Sequence, residues 1–138
     1  MKEAVVLIPT ELFGQNVHGA LLNTFPADWK VEVYVVTNQI VGDFNEEFGT
    51  LFLDKYKKGV EQIVKKYLQS DVKFYVVTGG VAFLNVILVQ KLLELVDADR
   101  IVLLVYRKFE KKYGAFKLDG KWFDVKAEAL DKPALLGD

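Results

Sequence analysis

The sequence predicts an α/β domain with a Rossmann-like, mostly parallel sheet, helices on both faces and a C-terminal β-hairpin. Three observations predict this fold. Four short apolar runs are rich in β-branched residues, helical stretches separate these runs, and an Asp-Gly turn between two alternating runs follows the last of them. Strands that are apolar at nearly every position and alternate with helices are typical of a parallel sheet covered on both sides.

The four predicted strands and the helices between them give the order of elements. The strands span Ala4 to Ile8, Val31 to Thr37, Val72 to Val77 and Ile101 to Tyr106. The clearest helix runs from Leu51 to Leu68, because its apolar residues recur at spacings of three and four while charged residues fill the opposite side. Right-handed crossovers between such elements give a doubly wound sheet.

The last third of the chain predicts a hairpin. Arg107 to Gly114 is interpreted as a charged connection that leads into two strands, Ala115 to Leu118 and Lys121 to Val125. Asp119-Gly120 between them suits a two-residue type I′ turn, because both residues tolerate positive φ angles. This hairpin is expected to extend or cap the parallel sheet.

Length and composition allow one domain and disfavour metal chemistry. The chain of 138 residues is 51% apolar, which supplies one core and leaves no room for a second folded domain. We assign residues 1–126 to this domain and residues 127–138, with Pro133, to a polar tail or linker. Cysteine is absent and His18 is the single histidine, so no metal site of thiolate or histidine type is expected, and no cofactor.

Hydropathy and charge restrict the location and the partners of the chain. No run of about 18 apolar residues and no secretory signal pattern occur, which predicts a cytoplasmic protein without a membrane partner. The formal net charge of −1 argues against duplex nucleic acid, whose binding needs a surplus of Lys and Arg. Residues 107–126 nevertheless hold seven basic and three acidic side chains, and this local excess favours a small anionic ligand.

The strongest local pattern for a binding site is the Thr78-Gly79-Gly80 turn. It joins a predicted strand directly to a long apolar helix that begins near Val81. In doubly wound sheets, ligands bind beyond the carboxyl ends of the strands, where glycine lets the backbone approach the ligand and a helix N-terminus favours anions. Thr78 is expected to cap the helix or to bind a phosphate. A plain tight turn is the alternative interpretation.

The helix from residue 81 to residue 96 is apolar nearly all round, and its few polar residues are Asn85, Gln90, Lys91 and Glu94. A helix on a sheet needs one apolar stripe, so the surplus predicts either a homodimer through this helix or burial beneath the C-terminal hairpin. Asn85 lies one turn into the helix, where its amide needs a hydrogen-bond partner. A ligand, the Gly79-Gly80 loop and a second protomer are the alternatives for that partner.

Polar residues at the other strand ends complete the expected binding site. Because the carboxyl ends of parallel strands lie on one side of the sheet, these residues are expected near the glycine pair. They are Thr10, Gln15 and Asn16 after the first strand, Asn38 after the second, and Arg107 and Lys108 after the fourth. His18 has no serine nucleophile or carboxylate partner close to it in sequence and is interpreted as structural.

Together these features resemble the CARF domain, the Rossmann-like sensor module of CRISPR-associated proteins. Three features match: a polar loop from Thr10 to Asn16 after the first strand, a Thr-Gly-Gly-x-x-x-x-Asn stretch from Thr78 to Asn85, and a closing β-hairpin. The resemblance spans about residues 1–126 and rests on short motifs.

The resemblance implies a homodimer that binds a cyclic oligoadenylate, a nucleotide second messenger of antiviral CRISPR defence. It implies that Gly79, Gly80 and Asn85 of each protomer line the floor of the pocket. It also implies one of two outputs, either sensing coupled to an effector domain or slow, metal-independent cleavage of the ligand, the ring-nuclease activity. Cleavage would need the ribose 2′-OH held in line with its phosphate, with Arg107 or Lys108 as the stabilising cation.

Two other functions remain open from the sequence. The mannose-class IIA domain of the sugar phosphotransferase system is also a small α/β dimer with a strand, a Gly-Gly pair and an Asn-bearing helix, and there a histidine after strand one carries the phosphoryl group. In this chain the corresponding loop reads Thr10-Glu11, and His18 comes several residues later. A dimeric α/β interaction module without a small ligand is the remaining alternative.

Overall fold

The structure, a computed structural model, describes residues 2–12, 15–38 and 46–127. Its strands are β1 (Glu3–Ile8), β2 (Lys30–Val35), β3 (Phe74–Val77), β4 (Ile101–Arg107), β5 (Lys112–Lys117) and β6 (Trp122–Phe123). Its α-helices are α1 (Val17–Thr24), α2 (Glu46–Lys65) and α3 (Ala82–Leu95), and a short 3₁₀ turn at Ala98–Arg100 precedes β4. Strands and helices alternate as far as β4, as the sequence predicted.

The six strands form one mixed sheet in the order β2-β1-β3-β4-β5-β6. Strands β1 to β4 are parallel, and β5 and β6 extend the sheet beyond β4 in antiparallel direction. Helix α1 packs on one face, whereas α2 and α3 pack on the other. This arrangement confirms the Rossmann-like α/β fold. The chain goes from β1 to β2 on one side and returns to β3 on the other, so β1 and β3 flank the topological switch point.

The two faces of the sheet are covered unequally. On one face, α2 and α3 bury a large cluster in which Val60, Leu84 and Leu88 have no exposed surface. On the other face, α1 has only 8 residues, and its buried side chains pack with residues of β1, β3, β4 and β5. Strand β2 lies at the border of this cover, because Val31 packs against the cluster whereas Val33 and Val35 are exposed. Apolar surface therefore remains on the α1 face at the β2 edge.

The predicted charged connection from Arg107 to Gly114 is wrong. Arg107 ends β4, Lys112 begins β5, and the two residues pair directly, so this segment is itself a hairpin with its turn at residues 108–111. Arg107 and Lys112 are compatible with strand structure because their side chains are partly exposed and each of them pairs with a carboxylate. Arg107 contacts Glu110 at 2.9 Å, and Lys112 contacts Asp124 at 3.0 Å.

The turn at Asp119-Gly120 is not the type I′ turn that the sequence predicted. Only Gly120 has a positive φ angle, of 86°, whereas type I′ requires one at both central residues. The Gly120 N–H donates to the Lys117 carbonyl, and the Lys117 N–H donates to the Lys121 carbonyl. These bonds define a three-residue loop that ends in a left-handed glycine, and the Asp119 carboxylate stabilises it by accepting a hydrogen bond from the Lys121 N–H at 2.9 Å.

Several element ends also differ from the prediction. Helix α2 begins at Glu46 rather than Leu51 and ends at Lys65 rather than Leu68. Leu68 is apolar but exposed and lies in a turn, so its apolarity did not mark a helix. Residues 39–45, and residues 128–138 of the predicted tail, lie outside the described residues. Within the described ranges, none of the helices is long and apolar enough to cross a membrane.

Thr24 connects α1 to β5 through buried hydrogen bonds. Its hydroxyl accepts from the Tyr113 backbone N–H at 2.9 Å and donates to the Ala20 carbonyl at 2.7 Å. Thr24→Val keeps the shape of the side chain but leaves the buried Tyr113 N–H unpaired. We therefore expect the free energy of unfolding, measured by urea titration, to fall by about 1–3 kcal/mol.

Asn23→Ala is the matched control for this variant. The Asn23 side chain donates to the Lys111 carbonyl at 2.8 Å, which also joins α1 to the start of β5, but this bond is exposed to solvent. Its loss is expected to cost less than about 1 kcal/mol, because water replaces the missing partner. Equal losses in the two variants would contradict the role assigned to burial.

Candidate functional site

The candidate site lies at the switch point, where β1 and β3 leave the sheet side by side. Leu7 of β1 pairs with Val76 of β3, so the residues that follow the two strands emerge at the same edge. Thr10 follows β1 and is buried, with 7% of its surface exposed, and the Thr78-Gly79-Gly80 turn follows β3. The structure therefore brings these predicted site residues together, as the fold requires.

The two glycines allow the loop after β1 to approach the turn after β3 closely. Gly80 has a φ angle of 69°, in the left-handed region that favours glycine. A Cβ atom built on Gly80 would lie 2.9 Å from a methyl group of Leu12 and 2.9 Å from the Thr10 methyl group. Leu12 therefore covers one side of the glycine pair, while Gly80 itself remains exposed to solvent.

Asn85 holds the glycine turn in place. Its Oδ1 accepts from the Gly79 N–H at 3.1 Å, and its Nδ2 donates to the carbonyls of Gly79 at 2.9 Å and Val81 at 3.1 Å. Of the three partners that the sequence left open for this amide, the glycine loop is the one observed. Both amide protons are used in these bonds, so Asn85 positions the backbone of the site.

Thr78 connects the end of β3 to β4 and does not cap α3. Its backbone N–H and its hydroxyl both donate to the Leu104 carbonyl, each at 2.9 Å. The N-cap of α3 is Val81, which forms no side-chain capping bond. The expectation that Thr78 caps the helix is therefore wrong, because the two glycines separate it from the first helical turn. The start of α3 consequently has no side-chain cap to compete with an incoming acceptor.

The loop after β1 is supported from the side of α2 and β2. The Tyr56 hydroxyl on α2 donates to the Pro9 carbonyl at 2.9 Å, and the Glu11 N–H donates to the Thr37 carbonyl at 3.1 Å. Burial raises the pKa of Tyr56, which keeps the hydroxyl protonated as a donor. The position of Thr10 and Leu12 over the glycine pair thus depends on contacts outside the site.

Arg107 and Lys108 lie at the end of β4, the strand that pairs with β3. The Arg107 guanidinium contacts Glu110 at 2.9 Å and lies 4.8 Å from the centre of the Trp122 ring. Lys108 is exposed in the turn between β4 and β5 and forms no ion pair with any described residue. Of the two predicted cations, Lys108 is the one whose charge is not already compensated.

Three predicted site residues are not brought to the glycine pair. Asn16 caps α1, since its Oδ1 accepts from the Gly19 N–H at 2.9 Å, and with Gln15 it lines a cavity of about 160 Å³ beside Tyr106 and Tyr113. Asn38 lines a different cleft of about 630 Å³, between the end of β2 and α2. The convergence expected from topology therefore holds for the residues directly after β1 and β3, and it fails for Gln15 and Asn16, which lie further along the chain after β1, and for Asn38 after β2.

Several residues that the sequence did not single out lie around these sites. Leu12 covers the glycine pair, but an isolated leucine in a loop gives no signal of that contact. Lys55, Lys58 and Gln62 line the cleft of Asn38, and in the sequence they belong to the polar side of an amphipathic helix. Only the packing of α2 beside β2 shows that they share a concave surface.

His18 and the acidic residues give no indication of a metal or phosphoryl centre at the glycine pair. His18 lines an apolar groove of about 330 Å³ between α1 and β2, and neither Gly79 nor Gly80 lines that groove. The described part of the chain contains no cluster of three His, Cys, Asp or Glu side chains arranged to hold a metal ion.

Comparisons with protein-family models, with curated proteins and with solved structures find no match for this chain. What the chain binds must be inferred from its own residues and their geometry.

Asn85→Asp tests whether the amide holds the turn. The introduced carboxylate would face the Gly79 and Val81 carbonyls without a proton to donate, so we expect lower stability at neutral pH. Those carbonyls favour the protonated carboxyl and raise its pKa in the folded state above the unfolded value of about 3.9. The stability relative to wild type is therefore highest below that value and falls as pH rises through the folded-state pKa.

Urea titrations of Asn85→Asp and wild type between about pH 3.5 and pH 8 measure this difference. Asn23→Asp is the matched control, because the Asn23 amide lies at the exposed surface. A stability difference between Asn85→Asp and wild type that does not change with pH would contradict the assigned hydrogen bonds.

Proposed function

We propose that this chain is a homodimeric sensor domain of CARF type that binds a cyclic oligoadenylate at the carboxyl edge of its sheet. The observation that supports this function most directly is the exposed Gly80 backbone, which lies between the Thr10 loop and the uncapped start of α3. A backbone without side chains at a helix start suits a phosphate group, because amide donors and the positive helix end both favour an anion.

The charges near this edge favour an anionic ligand of modest size. Lys108 and Lys111 are exposed in the turn between β4 and β5, which lies at the same edge of the sheet as the glycine turn, whereas Glu11 is the exposed carboxylate of the β1 loop. The excess of positive charge is small and local, which fits a ligand with a few phosphates better than a long polyanion. A ring of four or six adenylates meets this description.

The outer surface of α3 supports the homodimer. Val86 is 60% exposed and Leu93 is 47% exposed, so the C-terminal hairpin does not bury this helix. Lys91 on the opposite flank contacts Glu61 of α2 at 2.6 Å, which fixes the rotation of the helix. Val86 and Leu93 lie roughly 140–160° around the helix from Lys91, on the flank away from α2.

The hairpin side of the sheet continues this apolar surface. Val105 is exposed on the sheet face that α3 covers in part, since it lies two residues after Leu103 of the same cluster. Trp122 is also partly exposed. It lies on the same face of the sheet, because it pairs with Phe116, which in turn pairs with Leu103. An apolar surface that spans a helix flank and neighbouring strands is typical of a protein interface, and a second copy of the chain is the partner that we propose.

Cleavage of the bound ring is a second activity within the same proposal. Lys108 is better suited than Arg107 to stabilise the developing charge, since Glu110 and Trp122 already engage Arg107. The mannose-class IIA alternative has less support, because His18 lines the apolar groove between α1 and β2.

Isothermal titration with cyclic tetra-adenylate and cyclic hexa-adenylate tests the ligand. We expect wild type to bind one ring with a dissociation constant below about 10 μM. Gly80→Ala is expected to weaken binding by about tenfold or more, because its Cβ atom must displace Leu12 and Thr10 at the site. Chromatography of the same mixtures distinguishes a sensor, which leaves the ring intact, from a ring nuclease, which opens it.

Gly120→Ala is the matched control for this titration. Gly120 has a φ angle of 86°, so alanine strains its backbone in the same way as at Gly80, but a Cβ atom there meets nothing within 4 Å. Its affinity for the ring is expected to equal that of wild type. If titration of about 50 μM wild-type protein with either ring releases or absorbs no heat, the proposed ligand is wrong.

Light scattering tests the dimer. Wild type is expected at twice the monomer mass, and Val86→Glu is expected at the monomer mass, because a carboxylate in the apolar contact loses its hydration without a partner. Leu22→Glu on α1 is the control, since Leu22 is as exposed as Val86 but lies on the other face of the sheet. A monomeric wild type, or a dimeric Val86→Glu, would contradict the interface.

A further inference from the structure

The turn between β4 and β5 exposes an aromatic side chain almost completely. Phe109 is 95% exposed, more than any other large apolar side chain of the described residues. A phenylalanine gains free energy from burial, so full exposure leaves a surface that a ligand or partner can cover.

The turn is firmly supported by its neighbours. Lys111 adopts a left-handed φ angle of 53°, and its N–H donates to the Arg107 carbonyl at 2.9 Å. The Lys111 carbonyl accepts from the Asn23 side chain at 2.8 Å, which links the turn to α1. The Arg107 guanidinium lies over the Trp122 ring and contacts Glu110. Phe109 thus lies on a turn whose backbone is held by these contacts. Less conformational entropy of the turn is therefore lost when Phe109 makes a contact.

Strand register places this turn beside the candidate site. Val77 at the end of β3 pairs with Leu104 of β4, and Thr78 is bound to the Leu104 carbonyl. Strand β4 then continues for three more residues, to Arg107. At about 3.3 Å per residue, it rises roughly 10 Å beyond the end of β3 before the turn begins. The hairpin is therefore a wall next to the Gly79-Gly80 turn, with Phe109 at its top.

The charges of the turn suit a nucleotide. Lys108 and Lys111 flank Phe109 closely in sequence, and neither forms an ion pair with a described residue. Glu110, the carboxylate in the same turn, is engaged by Arg107. An exposed aromatic ring with two uncompensated ammonium groups in the same turn presents a stacking surface for a base and cations for its phosphates.

We propose that Phe109 stacks on an adenine base of the bound ligand while Lys108 and Lys111 contact its neighbouring phosphates. This inference rests on the proposed function, because it assigns a second contact region to the same site. The chemistry recognised is a base joined to phosphates, which a cyclic and a linear oligoadenylate share. The backbone at Gly79-Gly80 would then bind one part of the ligand, and the wall formed by the hairpin would bind another.

Substitution of Phe109 tests the stacking contact. Titrations use cyclic tetra-adenylate, cyclic hexa-adenylate and linear tetra-adenylate with the full chain. Phe109→Ala is expected to weaken binding of the preferred form by about 5- to 150-fold, the range typical when alanine replaces an aromatic side chain that stacks on one base. Phe109→Trp is expected to retain affinity, because indole also stacks. Leu51→Ala, at an exposed apolar residue of α2, is the control and is expected to bind as wild type.

Two further readouts separate stacking from a structural effect. A ligand with 2-aminopurine in place of one adenine loses fluorescence when its base stacks, and this quenching is expected with wild type and Phe109→Trp but not with Phe109→Ala. The double variant Lys108→Ala, Lys111→Ala is expected to reduce the dependence of affinity on salt concentration, since two phosphate contacts are lost.

The outcomes distinguish failure of this inference from failure of the proposed function. If wild type binds none of the three oligoadenylates, the proposed function fails and the inference fails with it. If wild type binds but Phe109→Ala binds equally well, only the stacking contact is overturned. A Phe109→Ala variant that becomes monomeric in light scattering also overturns it, because Phe109 would then be a contact between protomers. The wild-type affinities for the cyclic and linear forms identify which of the two is the ligand.

Discussion

The geometry of the candidate site depends on the three hydrogen bonds between the Asn85 amide and the backbone of Gly79 and Val81. Two consecutive glycines with positive φ angles have many accessible conformations, and a loop built from them has no fixed shape unless another group restrains it. The amide satisfies a donor and an acceptor of the same peptide segment and therefore selects one of these conformations. Thr10 and Leu12 can then pack closely against Gly80.

Unequal cover of the two sheet faces determines where other molecules can bind. Helices α2 and α3 bury one face deeply, yet α3 has more apolar surface than the sheet requires, and Val86 and Leu93 remain outside. The short helix α1 leaves the β2 edge open, with an apolar groove that His18 borders. These two surfaces lie on opposite faces of the sheet.

The hairpin of β4 and β5 adds a wall to an ordinary doubly wound sheet. Because β4 continues beyond β3 and returns as β5, backbone and side chains stand above the edge at which the glycine turn lies. Arg107 contributes to the support of this wall through Trp122 and Glu110, which leaves Lys108, Phe109 and Lys111 at its top. Within this short segment, Arg107 is engaged by its neighbours, whereas the side chains of Lys108, Phe109 and Lys111 are exposed.

The sequence by itself determined the order of strands and helices, the buried runs and the position of the glycine turn after β3, because apolar periodicity and glycine are local properties of the chain. It did not determine that Asn85 binds the turn, that Asn38 lies in a separate cleft, or that Arg107 to Gly114 forms a hairpin. Charged residues there resembled a loop, since the pattern cannot show which strand they pair with or which carboxylate compensates them. Only the tertiary structure decides such pairings, because they depend on which elements pack side by side and on the conformation that each turn adopts there.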